Sequence, residues 1–182
     1  MPNKLDIINA ALVSLGASPV QDLSSTTPSV AAAAFWPMVL PATLRSHPWN
    51  FAVTRRTLAP LATAPDHGYS QAFPLPSDWI RTLSCSADDF RMEGGKILCD
   101  ATILELRYIA MVEDPARWDG LFCEAIAAHL AAKLAYPLTQ SASAQEVCWS
   151  AYKEILRLAR SVDSLEEPTD DIEESSLITL RR

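Results

Sequence analysis

The chain has little of what chemistry at an active site usually draws on. Among 182 residues there are three histidines, four cysteines and five glycines. His47, His67 and His129 stand far apart, and neither H-E-x-x-H nor G-x-S-x-G occurs. Gly94-Gly95 lacks the Lys-Ser/Thr that a phosphate-cradling loop needs, and reads as a turn. Cys85, Cys99, Cys123 and Cys148 are spaced 14, 24 and 25 apart with no C-x-x-C pair, which argues against a zinc ribbon or a thioredoxin-type motif. They read as structural thiols, with Cys123 and Cys148 as small hydrophobes in helical contexts. No uninterrupted apolar run approaches the roughly 20 residues of a bilayer-crossing helix. The first fifteen residues contain Asp6 and lack a basic flank followed by a cleavage site, so no signal peptide and a cytoplasmic product are expected.

Excess base is missing as well. The formal charge of -7 leaves no surplus for a surface that grips nucleic acid, although acidic walls do tolerate DNA passing nearby. The acid is unevenly spread. Residues 161–182 hold seven of the 22 acids, and carry base at the terminal Arg181 and Arg182 alone. Such an arm, closing on Leu177-Ile178-Thr179-Leu180, suits either an unstructured terminus or an extended peptide that docks elsewhere, for instance by strand addition. Before it, a 49% apolar composition supplies enough for one real core.

Periodicity orders that core. Asn3 or Asp6 can cap a first helix with Ile7, Ile8, Ala11, Leu12 and Leu15 at three- and four-residue steps, ended by Gly16 and Pro19. Pro28 suits the start of a second helix with Val30, Ala34, Met38 and Leu40 on one face, which Pro37 and Pro41 should kink or break before His47-Pro48-Trp49. Trp79–Ser84, Phe90–Glu93, Lys96–Asp100 and Ile103–Ile109 are strand-sized, with Gly94-Gly95 as a hairpin turn. In the last of them Leu104, Leu106 and Tyr108 face one way, Glu105 and Arg107 the other. Asp114-Pro115 should open a third helix that Tyr136-Pro137 closes, and Ser141 or Ser143 a fourth with Val147, Cys148, Tyr152, Ile155, Ala159 and Val162 in register. The sum is an α+β, mainly helical fold: four helices, a small antiparallel β meander inserted between the second and third, and an extended C-terminal arm. Residues 1–162 form the core, with helices in 1–60 and 114–162 and the β insertion at about 69–112; residues 163–182 form the arm.

Candidate chemistry is sparse. Asp88, Asp89, Glu93 and Asp100 could pair as acid and base of a hydrolase, but carboxylates beside turns are usually solvated. His47, beside Trp49, suits an imidazole bonded to backbone. Arg45, Arg55 and Arg56 stand near Trp49 and Phe51, a mixture that suits nucleic acid or a protein partner. Trp118 and Trp149 lie on helices apolar around most of their girth, where they serve either a subunit contact or the core. No catalytic, metal or cofactor residue is assigned.

The order of segments resembles the tail tubular protein A family, the head–tail adaptors of short-tailed bacteriophages. Asn9-Ala-Ala-Leu-Val-Ser-Leu-Gly16-Ala-Ser-Pro-Val-Gln-Asp-Leu23 is similar to the family signature after its first helix, and Ser46-His-Pro-Trp49-Asn-Phe51-Ala to its Trp-x-Phe after the second. Phe73-Pro-Leu75-Pro76-Ser-Asp78-Trp-Ile-Arg81, Ile103-Leu-Glu-Leu-Arg107-Tyr108-Ile109 and Asp114-Pro-Ala-Arg-Trp-Asp119 continue the match. Phe122-Cys-Glu124-Ala125, Leu130-Ala-Ala-Lys-Leu134 and Leu138-Thr139 complete it. The resemblance implies a non-enzymatic virion protein without cofactor, made in the host cytoplasm, monomeric when isolated and a dodecamer in the phage neck. It would join the portal protein to a tail nozzle like tail tubular protein B and pass DNA non-specifically along its lumen. Leu177, Ile178, Thr179, Leu180, Arg181 and Arg182 would be the portal-binding arm, and Trp49, Phe51, Arg55, Arg56, Trp118 and Trp149 the candidate subunit or nozzle contacts. A head-completion or stopper protein is the nearest alternative, a neck-associated cell-wall hydrolase a more distant one.

Overall fold

A computed structural model describes residues 2–166. The arm residues Leu177 to Arg182 therefore lie outside the described residues. Four helices carry a set of antiparallel strands between the second and third, the architecture expected from the sequence.

The first helix, α1 (Lys4–Ser14), starts on a reciprocal cap. Asn3 Oδ1 accepts from the Asp6 amide at 3.0 Å and Asp6 Oδ2 from the Asn3 amide at 2.8 Å, so two otherwise unpaired donors are satisfied. Ile7, Ile8, Ala11 and Leu12 are buried as their spacing predicts. Gly16, at φ +77°, takes the left-handed turn that ends the helix.

The second helix, α2 (Thr27–Arg45), narrows one expectation and overturns another. It runs through Pro37 and Pro41 without a break. The two prolines are four residues apart and so share a face, which is exposed at Pro37 and half-exposed at Pro41; carbonyls deprived of a partner there can turn to water. That face is also the one predicted to be core. Val30, Ala34 and Met38 are exposed, whereas Ala32, Trp36, Val39, Leu40, Thr43 and Leu44 are buried. Trp36 decides the orientation, because its indole area outweighs a row of alanine and valine.

Asp114 opens only a 3-10 turn, Pro115–Arg117, and not the long helix. Trp118 is extended (ψ 149°) so that its indole enters the core, where Nε1 donates to the Val112 carbonyl at 2.9 Å. Asp119 then caps α3 (Gly120–Thr139), accepting from the Leu121 and Phe122 amides. Pro137 sits inside the last turn and Gln140, at φ +54°, ends the helix. α4 (Ala142–Glu166) begins on Ser141 Oγ, which accepts from the Ala144 amide. Its buried stripe is Tyr152, Leu156, Ala159 and Asp163, while Val147, expected in register, is exposed. The helix thus extends past residue 162, and residues 163–166, placed in the arm by composition, belong to the core domain.

α3 lies at the centre, packed against α1, α2 and α4. α2 and α3 are 19 and 20 residues long, with a mean hydropathy of 1.2 that meets the length and composition of a membrane-crossing helix, which no uninterrupted apolar run had announced. Much of that apolar surface, including Trp36, Leu40, Phe122, Ile126, Leu130 and Leu134, is buried in the main core.

Between α2 and α3 run β1 (Val53–Leu58), β2 (Gln71–Pro74), β3 (Trp79–Cys85), β4 (Arg91–Glu93), β5 (Lys96–Cys99) and β6 (Leu104–Ala110). They pair as two three-stranded antiparallel sheets, β1-β6-β3 and β2-β5-β4. Gly94 and Gly95, both at positive φ, make the predicted β4–β5 turn. Residues 53–58, predicted within the helical region, are instead an edge strand. β6 is the hinge of the arrangement. One face presents Leu104, Leu106 and Tyr108 to Phe73, Ile97 and Cys99 in a second, smaller core between the sheets. The other face presents Ile109 to the helices.

Candidate functional site

The residues singled out by sequence divide into three places. Trp49 is fully buried, with Nε1 donating to the Thr43 carbonyl at 3.1 Å. Its ring meets Phe122 edge-on at 4.8 Å; Phe51 meets the same ring at 4.9 Å and Trp118 at 5.2 Å. Trp36 stacks on Trp118 at 6.3 Å. These aromatic rings weld the helices to the sheet corner, so Trp49 and Trp118 are core residues and not surface for a neighbour. Phe51 is half-buried against the same cluster.

Beside this cluster, the α2–β1 loop is fastened to the end of α4. His47 Nε2 is 2.9 Å from Asp163 Oδ2; its partner is a carboxylate, where sequence suggested backbone. Asp163 Oδ1 accepts from the Asn50 amide at 3.1 Å, and the Asp163 carbonyl from Asn50 Nδ2 at 2.7 Å. Composition places Asp163 in the acidic arm, and the structure places it in α4. The signal that could have found it is its step from Tyr152, Leu156 and Ala159, which continues one helical face.

His129 is also structural. It is 6% exposed, stacked on Tyr152 at 4.3 Å, and its Nδ1 is 2.9 Å from Thr43 Oγ1. Burial, with Lys133 nearby, lowers its pKa to about 4, so the ring is neutral at pH 7. Trp149 is half-buried at the edge of this group, under the Lys133 ammonium at 5.2 Å. His67 is exposed in its turn.

Arg55 and Arg56 are exposed, and the structure adds partners that sequence could not. In the β1–β6 ladder Arg55 lies directly opposite Arg107, and Thr57 opposite Glu105. β3 brings Ser84 opposite Arg107 from the other side. Arg55, Arg56, Thr57, Ser84, Cys85, Ser86, Glu105, Leu106 and Arg107 line an open groove of about 570 Å³. Arg55 and Arg107 lie on the same face of the ladder as Glu105, and Arg56, in register with Leu106, lines the groove from the next position on the strand. The Ser86 hydroxyl accepts from the Glu105 amide at 3.0 Å, which leaves its proton for another acceptor. Arg45, the third base of the sequence cluster, is engaged elsewhere, donating to the Ile80 carbonyl.

Asp88, Asp89, Glu93 and Asp100 are all exposed. Asp89 accepts from the Tyr69 hydroxyl at 3.1 Å. The Ser70 amide and hydroxyl beside Asp100 hold its carboxyl below the usual range, opposite to what a general acid requires. Cys85, Cys99, Cys123 and Cys148 are free thiols, and burial pushes those of Cys85 and Cys123 up. Among the described residues no group of three or more His, Cys, Asp or Glu could hold a metal ion.

No protein-family model matches the chain, and no curated protein matches it either.

Proposed function

We propose that the chain is a non-enzymatic head–tail adaptor of a short-tailed phage, a ring protein that joins portal to nozzle and continues the DNA channel. The observation that carries this reading is where the two junction blocks fall. The Gly16-Ala-Ser-Pro-Val block directly follows α1 and Trp49-Asn-Phe51 directly follows α2, as the resemblance requires, with the strands then inserted before α3.

A ring of identical subunits needs two different faces that fit one another. Trp49 and Trp118 do not serve, being buried. Two apolar flanks do: Val30, Ala34, Pro37 and Met38 on α2, and Val147, Ala151, Leu158 and Leu165 on α4. α2 and α4 each pack on α3, and both flanks point outward. The portal contact is assigned to the arm, Leu177 to Arg182. The hydrolase alternative loses ground at the four loop acids, since none is buried in a cleft.

The test is native mass spectrometry of the phage's portal ring mixed with the full chain, and with a chain ending at Glu166. The cut falls there because Asp163 holds the α2–β1 loop. Twelve copies added by the full chain and none by the shorter one is the expected result. A full chain that never binds the portal overturns the reading.

A further inference from the structure

The arginine groove has an unusual construction for a protein of net charge -7. Like charges directly opposite in an antiparallel ladder repel, yet Arg55 and Arg107 hold that relation, with Arg56 next in the chain. The walls add hydroxyl donors from Thr57, Ser84 and Ser86, and Glu105 is the single acid among them. A concave surface with several guanidinium forks and hydroxyl protons recognises carboxylates or phosphates.

The nearest dense source of carboxylate is the chain's own continuation. Glu167, Asp170, Asp171, Glu173 and Glu174 follow within eight residues of Glu166, with no base among residues 167–174. The end of α4 is tied to Asn50 through Asp163, and Asn50 is five residues before Arg55. Five extended residues span at most ~17 Å and one helical turn ~5 Å, while eight extended residues cover ~26 Å. Even at these upper bounds Glu173 and Glu174, seven and eight residues past Glu166, reach the groove in the same molecule. A second basic patch, Lys153, Arg157 and Arg160 near His47, is a poorer host. These residues lie on α4 itself, and the chain leaving Glu166 would have to reverse along the helix to meet them.

We infer that the groove lined by Arg55, Arg56 and Arg107 is a docking site for the acidic segment 167–174 of the same chain. The contact holds the arm against the sheet until a better partner takes it. The inference does not depend on the portal reading and uses no portal in its test.

Both hydrophobic cores are completed by residues before Glu166, so a chain ending there keeps its fold. A fluorescein-labelled peptide of residues 167–182 is titrated by anisotropy into this shortened chain and into the full chain. The peptide binds the shortened chain, and the full chain excludes it because the tethered copy acts at an effective concentration of about millimolar. The double variant R55E/R56E weakens binding by at least ~10-fold, whereas R55K/R56K, which keeps the charge, retains most of it. Circular dichroism confirms that each variant is folded. The inference is overturned if the peptide does not bind, or binds both chains equally. It also fails if binding survives R55E/R56E and is lost in K153E/R160E, or if a duplex DNA of similar charge binds the groove more tightly than the peptide.

Discussion

The two hydrophobic cores are built by opposite rules. In the helical core, large rings from α2, the α2–β1 corner and α3 meet in one cluster, and the polar atoms they bring in are answered: Trp49 by Thr43, Trp118 by Val112, His129 by Thr43. The core between the sheets is a thin seam of aliphatic residues with Phe73 and Tyr108, and Arg55, Glu105 and Arg107 lie on the far side of its strands. One region invests its sequence in packing; the other leaves a face free for ligands. The division matters because a groove on the solvent side of the β1-β6-β3 sheet can change its exposed side chains without disturbing α3.

Matched truncations in the two cores test this division most severely. Trp118→Ala should cost about 3–5 kcal/mol in urea unfolding, and lower hydrogen-exchange protection throughout the helices. Phe73→Ala should cost about 3 kcal/mol, with the loss of protection concentrated in β2, β5 and β6. If Phe73→Ala lowers α3 protection as much as Trp118→Ala does, the cores form one cooperative unit and the contrast fails.

A pH series sharpens the helical side. The His129 pKa is about 4 in the folded chain, below its ordinary value of 6.5. Between those values the unfolded chain binds a proton that the folded chain refuses. Stability should thus be complete above pH 6.5 and fall as pH drops towards 4, by ~2–3 kcal/mol from this residue. His129→Phe, which keeps a ring against Tyr152, should flatten that part of the profile between pH 7 and 4.5. An unchanged slope would assign the acid sensitivity to other groups.

The smallest effect belongs to the sheet. Arg55→Thr removes the like charge facing Arg107 and should stabilise the protein by ~0.2–1 kcal/mol, read as a higher urea midpoint, while weakening the groove's hold on the acidic peptide. A stability gain paired with a binding loss is the mark of a residue kept for its ligand. Destabilisation by Arg55→Thr would show that the guanidinium serves the fold.

Sequence alone reached the helical elements because their periodicity and caps are local. Asn3, Gly16 and the Gly94-Gly95 turn act within four residues, and the alternation of β6 is plain in its own seven. What escaped depends on distant chain. β1 and β2 are edge strands, and Thr54-Arg55-Arg56-Thr57 and Phe73-Pro74 carry no alternation to betray them. The buried face of α2 was misread because small apolar residues surround the helix and only the placement of Trp36 breaks the tie. For the groove, Arg55 and Arg56 were visible as a short basic patch, and Arg107 as an outward residue of β6. Their meeting required the β1–β6 register, which nothing local encodes.

The fastening at Asp163 has a mechanical consequence. Any pull on the chain beyond Glu166 enters the domain through the last turn of α4, and there Asp163 transfers it to Asn50 and His47. Three residues past Asn50 the chain becomes β1, the strand that carries Arg55 and Arg56. Tension on the tail is therefore delivered both to the root of the arginine strand and, through His47, to the buried Trp49 ring that it meets edge-on at 4.8 Å. The molecule has a rivet between its handle and its grip.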